Sequence, residues 1–415
     1  MADERIQRTT LANGLEVVTE HMAGVRSASL GVWVGVGNRD EEASMAGASH
    51  CLEHLLFKGT DRWSARALAE AVDRTGGEVN AFTSKEYTAY HARVPDSEVT
   101  FALDLLCGVV KAPAFTAADL EAERLVILEE LAASEDYPDD VAHTALQAAL
   151  FPEHPLGWEV LGTAESIRGL QADTVHAFHQ HWYQPVNLVF AAAGNVEHEQ
   201  IVAGVTGAFG SSAPGVSPAR RPPTLPTEQA VLIERPTEQT HVALGWPSLG
   251  HGDDDRFALA IANQVIGGGL SSRLFQEVRE KRGLAYSVFS NQTGYRESGS
   301  FTVYAATAAE RANELLAVLD HEIDDLIERG VTGDELALAR AGFEGATLLG
   351  LEDSSSRMAR LGTALTLRGY VPTIESFLDS LRAVTVDDVH RVITRVFSGP
   401  RVMSAVGDVA PLAGA

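Results

Sequence analysis

Three side chains in the run His50-Cys51-Leu52-Glu53-His54 have the types and spacing for hydrolytic chemistry. On a helix, positions i, i+3 and i+4 share a face, so His50, Glu53 and His54 project together while Cys51 and Leu52 turn away. Neutral imidazole nitrogens are good zinc ligands. A carboxylate held beside them can take a proton from a water, so the set suits metal-assisted hydrolysis. Leu55, Leu56 and Phe57 follow directly, which presses the helix into a core, and imidazoles held there need partners. Cys51 points off the histidine face and reads as a small buried hydrophobe rather than a ligand.

Two histidines need a third protein ligand, usually a carboxylate from another element. The pattern from Thr116 to Ser134 is helical and acidic. Glu123 and Glu130 lie two turns apart on one face, with Glu121, Glu129 and Glu135 on other sides. Spacing alone does not choose among these glutamates.

The elements that must position these groups follow from pattern. Two short strands flank Ala12-Asn13-Gly14, a Val- and Leu-rich strand covers Ser27 to Val36, and a helix from about Ser44 to Lys58 carries the His/Glu face. Ser64 caps a helix to Arg74, Glu78 to Val94 reads as one or two strands, and helices follow over 97–110, 116–134 and 139–150. Residues 210–228 are rich in Pro, Gly and Ser and read as a linker.

Beyond the linker the pattern repeats. Strand character at 230–246, 284–293 and 301–306 alternates with helical character at 256–266, 271–281, 308–328, 332–351 and 354–367. Thr163-Ala164-Glu165-Ser166, Val175-His176 and Ala193-Gly194-Asn195-Val196 have counterparts in Thr373-Ile374-Glu375-Ser376, Val389-His390 and Val406-Gly407-Asp408-Val409. The chain is therefore read as an internal duplication of one α+β unit of about 200 residues. The expected fold is two homologous α/β-sandwich-like domains, each a mostly antiparallel sheet with helices packed on it. The expected domains are 1–210, a linker at 211–228, and 229–415, the last without an H-x-x-E-H. Gly267-Gly268-Gly269 lacks a following Gly-Lys-Ser/Thr and reads as a turn, not a phosphate cradle.

Composition excludes several classes. With 32 Lys plus Arg against 57 Asp plus Glu in 415 residues, the net charge of −25 opposes nucleic acid and anionic membranes. The opening stretch has no apolar core of signal-peptide length, and no apolar run is long enough for a span, so a cytoplasmic protein is expected. Two cysteines, Cys51 and Cys107, make no disulfide framework.

Together these residues resemble the pitrilysin/insulinase group of zinc metallopeptidases, family M16. They are most similar to its short bacterial members, relatives of the mitochondrial processing peptidase beta subunit. The similarity runs from about Thr9 to Val409 and rests first on the H-x-x-E-H order, the inverzincin signature, continued by Leu-Leu-Phe-Lys-Gly-Thr. The resemblance implies zinc held by His50, His54 and Glu130, with Glu129 the fallback, and Glu123 supporting a ligand from behind. It implies Glu53 as the catalytic base. In Gly76-Gly77-Glu78-Val79-Asn80-Ala81-Phe82-Thr83 it assigns Asn80 and Ala81 to an extended peptide. Arg279 and Tyr286, in the second half, match a pair that reaches the substrate and stabilises an oxyanion. Cys51 stands where Phe is commoner in the family, a matter of packing.

The implied activity is zinc-dependent endopeptidase cleavage of small unfolded peptides or precursor segments in a closed chamber. The implied partners are peptide substrates, with no nucleic acid or membrane, and a second copy in a homodimer. A heterodimer with a related subunit, as in a leader-peptide processing protease, and a non-catalytic scaffold subunit are the rival expectations.

Overall fold

The computed structural model describes residues 6–413, so the first five residues of the opening stretch read above lie outside it. Eleven strands form two sheets among the described residues. The first holds β1 (Ile6–Thr10), β2 (Glu16–His21), β3 (Ser27–Val34), β4 (Glu78–Thr83), β5 (Thr88–Pro95) and β6 (Leu188–Gly194), in the order β1-β2-β6-β3-β5-β4. The second holds β7 (Gln229–Glu234), β8 (Thr240–Ser248), β9 (Val288–Gly294), β10 (Gly299–Thr307) and β11 (Val402–Gly407), in the order β7-β11-β8-β10-β9. In each sheet one pair is parallel, β2 with β6 and β7 with β11, and the remaining pairs are antiparallel.

The first half contributes helices α1 (Ala48–Leu56), α2 (Ala65–Thr75), α3 (Val99–Lys111), α4 (Ala117–Asp136), α5 (Pro138–Leu150), α6 (Ala164–Gly169), α7 (Ala172–Trp182) and α8 (His198–Phe209). The second contributes α9 (Arg256–Ile266), α10 (Ala312–Arg329), α11 (Gly333–Gly350), α12 (Ser354–Arg368), α13 (Ile374–Ala383) and α14 (Val386–Phe397).

Apart from the extra β1, the sheets share one topology, as a duplication requires, and the matched sequence pairs occupy matched places. Gly194 and Gly407 end β6 and β11 at φ values of 121° and 130°, where a Cβ would come within 2.4 Å of the Ser27 carbonyl and 2.7 Å of the Gln239 carbonyl. Only glycine fits such a crossing. His176 Nε2 donates to the Phe115 carbonyl at 3.2 Å, and His390 Nε2 donates to the Ile327 carbonyl at 2.8 Å, just beyond α3 and near the end of α10 respectively.

The compact units are not the contiguous stretches 1–210 and 229–415. Residues 132–158 belong with the second sheet and 347–373 with the first, so the chain passes between units five times. In the first unit α12 lies on β3 and β6. In the second, α5 lies on the counterpart strands β8 and β11. Each sheet is thus covered on one face by a helix from the other half of the sequence.

This explains why β6, Leu-Val-Phe-Ala-Ala-Ala-Gly, is apolar throughout: Leu188, Phe190 and Ala192 join the main core of the first unit, whereas Val189, Ala191 and Ala193 meet Met358, Leu361 and Leu365 of α12. Strands buried on both faces lose the alternating pattern. Gly362 lets α12 approach, since a Cβ there would sit 2.3 Å from the ring of Trp33.

Local departures from the sequence reading are small. The helix expected from Ser44 is a 3₁₀ turn, Ala43–Met45, broken at Gly47 before α1. The stretch 230–246 is two strands, and 271–281 is chiefly a π-helical segment, Phe275–Lys281. The linker has no helix or strand, yet it is fastened to the first unit. The Pro214 carbonyl accepts from Val186 N–H, and Arg220 donates to Asp40 (2.7 and 2.8 Å) and to the carbonyls of Gly35 and Glu86. Among the described residues no helix is long and apolar enough to cross a membrane.

Candidate metal centre

The centre is built on α1. Gly47 precedes it at φ 91°, where a side chain would strike the Leu161 carbonyl at 2.6 Å. Glu41 reaches the same end from upstream: its carboxyl oxygens accept from Gly47 N–H (2.7 Å) and Ser49 N–H (2.6 Å). Buried carboxyl oxygens thereby satisfy donors that the helix itself leaves free. Burial pushes this carboxyl up to about 7 despite those bonds. Ala48, Cys51, Leu52, Leu55 and Leu56 pack into the first core, which leaves His50, Glu53 and His54 on the opposite face. Cys51 is buried, and burial lifts its thiol to about 12, in keeping with a packing role.

Helix α4 supplies the acidic partners. Glu123, 7% exposed, accepts from His54 Nδ1 at 3.0 Å with one oxygen and pairs with Lys58 through the other. Burial alone would raise the Glu123 carboxyl, but the Lys58 and His54 hydrogen bonds outweigh it and hold it below the usual range. With its Nδ1 donating, the His54 ring presents a lone pair at Nε2. That atom lies 3.3 Å from His50 Nε2, and Glu130 Oε2 is 3.7 Å from each of them. Burial, aided by His54, lowers His50 to about 4, so its ring is neutral at physiological pH. Glu129, the fallback, is exposed and takes no part in the cluster.

The donor set fits zinc. Ligand atoms around a tetrahedral zinc with bonds of about 2.0–2.1 Å stand roughly 3.3 Å apart. The two imidazole nitrogens already have that separation, and the Glu130 side chain, 41% exposed, has room to close its small excess. His50, His54 and Glu130 form the one cluster of this kind among the described residues.

Glu53 stands beside the cluster. Burial raises its carboxyl above the ordinary value, the Thr83 hydrogen bond and His54 oppose this, and Glu130 adds to it. Thr83 Oγ1 donates to Glu53 Oε2 at 2.5 Å. Thr83 ends β4, the edge strand of its sheet, which has no partner on its outer side among the described residues. Asn80 and Ala81 lie on the same strand. The Ala81 N–H is taken by the Asn80 side chain at 2.8 Å rather than by β5, so it faces the free edge.

Arg279 and Tyr286 belong to the second unit and lie against each other: the guanidinium is 4.3 Å from the phenol ring centre, and Arg279 Nη1 donates to the Tyr286 carbonyl at 3.3 Å. Tyr286 is 78% exposed. Thr83, Lys58 and Glu41 were not singled out in the sequence. Alternation along β4 placed Thr83 in the row of Val79 and Ala81, and Lys58 stands four residues after His54. Glu41 gave no local signal because its partners are defined only by the path of the loop.

Residues 16–164 match the profile of the insulinase family, peptidase family M16, and residues 169–343 match that of the peptidase M16 inactive domain. A Streptomyces coelicolor protein named as an uncharacterized zinc protease is 42% identical, over 97% of this chain and 89% of its own. Proteins of the same description from Mycobacterium tuberculosis and Bacillus subtilis are 45% and 38% identical, over 94% and 95% of this chain and 91% and 96% of theirs. A solved protease structure from Helicobacter pylori shares the fold at a TM-score of 0.90 and 22% identity, covering 97% of this chain and 100% of that one. Its fold, its duplicated halves and its kinship with these proteins place the chain in peptidase family M16.

Proposed function

We propose that the protein is a zinc-dependent endopeptidase that hydrolyses small unfolded peptides or precursor segments. The observation that carries this reading is the convergence of His50, His54 and Glu130 with Glu53 beside them. Zinc held by those three residues would supply Lewis acidity and acidify a water. Glu53 takes a proton from the attacking water through the carboxyl oxygen that Thr83 leaves free, and returns it to the leaving amine nitrogen. Glu123 fixes the tautomer and ring orientation of His54. The free edge of β4 takes the peptide backbone at Asn80 and Ala81, which makes affinity tolerant of sequence. Arg279 and Tyr286 take the part of oxyanion donors. A homodimer enclosing the substrate completes the proposal, on the family resemblance.

The test is metal analysis of the purified protein with cleavage of a mixed peptide library by that protein alone. The expected result is about one zinc per chain and cleavage that a chelator abolishes and zinc restores. A zinc-loaded protein that cleaves no peptide would overturn the reading.

A further inference from the structure

We propose that Thr83 is a positioning residue for hydrolysis: its hydroxyl holds the Glu53 carboxylate in the orientation from which it takes a proton. The inference rests on the peptidase reading above. The contact, 2.5 Å from Thr83 Oγ1 to Glu53 Oε2, has the length of a charge-assisted O–H···O⁻ bond. It occupies one carboxyl oxygen, and no other side chain hydrogen-bonds either oxygen among the described residues. The base is therefore restrained at Oε2 and available at Oε1.

The restraint is rigid at its origin. Thr83 is paired with Thr88 on β5, and Thr88 is itself buried and donates to the Val36 carbonyl at 3.1 Å. A β-branched side chain has few χ1 choices on such a strand. Glu53, by contrast, has three rotatable bonds on a half-open helix face, and among the described residues no second hydrogen bond orients its carboxyl group. A neutral hydroxyl also suits the task better than an ammonium or guanidinium would, because it orients the carboxylate without cancelling its charge. The same strand offers its free edge to the peptide, so the element that receives substrate also fixes the base.

Thr83→Val keeps the volume and removes the donor; Thr83→Ser keeps the donor. The expected result for Thr83→Val is unchanged zinc content and thermal midpoint, KM within about twofold of wild type, and kcat lower by about tenfold or more, most of it regained in Thr83→Ser. Crystal structures of the metal-free wild type and Thr83→Val supply a readout independent of turnover. The Glu53 carboxylate should hold one rotamer in the first and spread or swing away in the second. A kcat for Thr83→Val within twofold of wild type, a Thr83→Ser variant as impaired as Thr83→Val, or an unmoved Glu53 rotamer would each overturn the role. Should the wild type cleave nothing, the peptidase reading fails, and the rotamer comparison still decides whether Thr83 orients Glu53.

Discussion

Glu53 and Glu130 are both acidic residues near two histidines, yet their surroundings give them separable parts. Glu53→Gln leaves the ligand set untouched, so zinc content should stay at the wild-type level while turnover falls by at least about 10²–10⁴-fold. Loss of zinc in that variant would move Glu53 into the ligand set. Glu130→Gln should lower zinc occupancy, measured by metal analysis after dialysis, well below Glu129→Gln, because Glu129 is exposed and outside the cluster. Tyr286→Phe removes a hydroxyl that is largely in solvent, so stability should not change; in the proposed role kcat falls by roughly 10²–10³-fold. At this scale the sequence was legible where spacing is local: His50, Glu53 and His54 declare a face by themselves. The proposed third ligand was not legible from spacing, since Glu123 and Glu130 share a face and only tertiary packing sends one to His54 Nδ1 and the other to the Nε2 pair.

The helix bearing the site is held at its N-terminus by a group that titrates. Glu41 binds its proton more tightly when folded than the ordinary value of 4.5, up to about 7, because burial penalises the charge. The folded state therefore holds more protons between these values, and stability drawn from this group is full below about 4.5 and lost as pH rises to about 7. Glu41→Gln should remove that slope, and denaturant titrations of the metal-free protein between pH 4.5 and 8 will show it. Parallel pH profiles for the two proteins would contradict it. Gly362→Ala should destabilise by about 1–3 kcal/mol, read as a lower denaturation midpoint, because the methyl would meet Trp33 at 2.3 Å. Strand and helix positions were legible from period, but the break at Gly47 was not. Ser44 to Lys58 shows no charged or proline break, and the interruption lies in the backbone path, which leaves the helical region at Ala46 (ψ 126°) and turns left-handed at Gly47 (φ 91°) before α1 begins.

The duplication was legible from three pairs of short matches, whereas the reciprocal placement of α5 and α12 was not. Which sheet a helix covers depends on contacts far apart in sequence, and the local periodicity of α5 and α12 carries no record of them. The placement predicts how the chain responds to being cut. Fragments 1–212 and 226–415 each lack the helix that covers one face of their own sheet, α12 for the first and α5 for the second. Each alone should show no cooperative unfolding and should bind hydrophobic dyes, whereas refolding them together should restore one cooperative transition. A fragment 1–212 that unfolds cooperatively at the full-length midpoint would contradict this.

The same exchange sets a schedule for synthesis. When Leu188–Gly194 has left the ribosome the first sheet has all its strands, but Val189, Ala191 and Ala193 face solvent until Ser354–Arg368 emerges. That is about 160 residues later, on the order of 10 s at roughly 5–20 residues per second. Throughout that interval the nascent chain displays an open apolar sheet face, the kind of surface that holding chaperones bind. Nascent chains stalled before residue 354 should therefore be protease-sensitive across the first sheet, and chains stalled after α12 has cleared the exit tunnel should not.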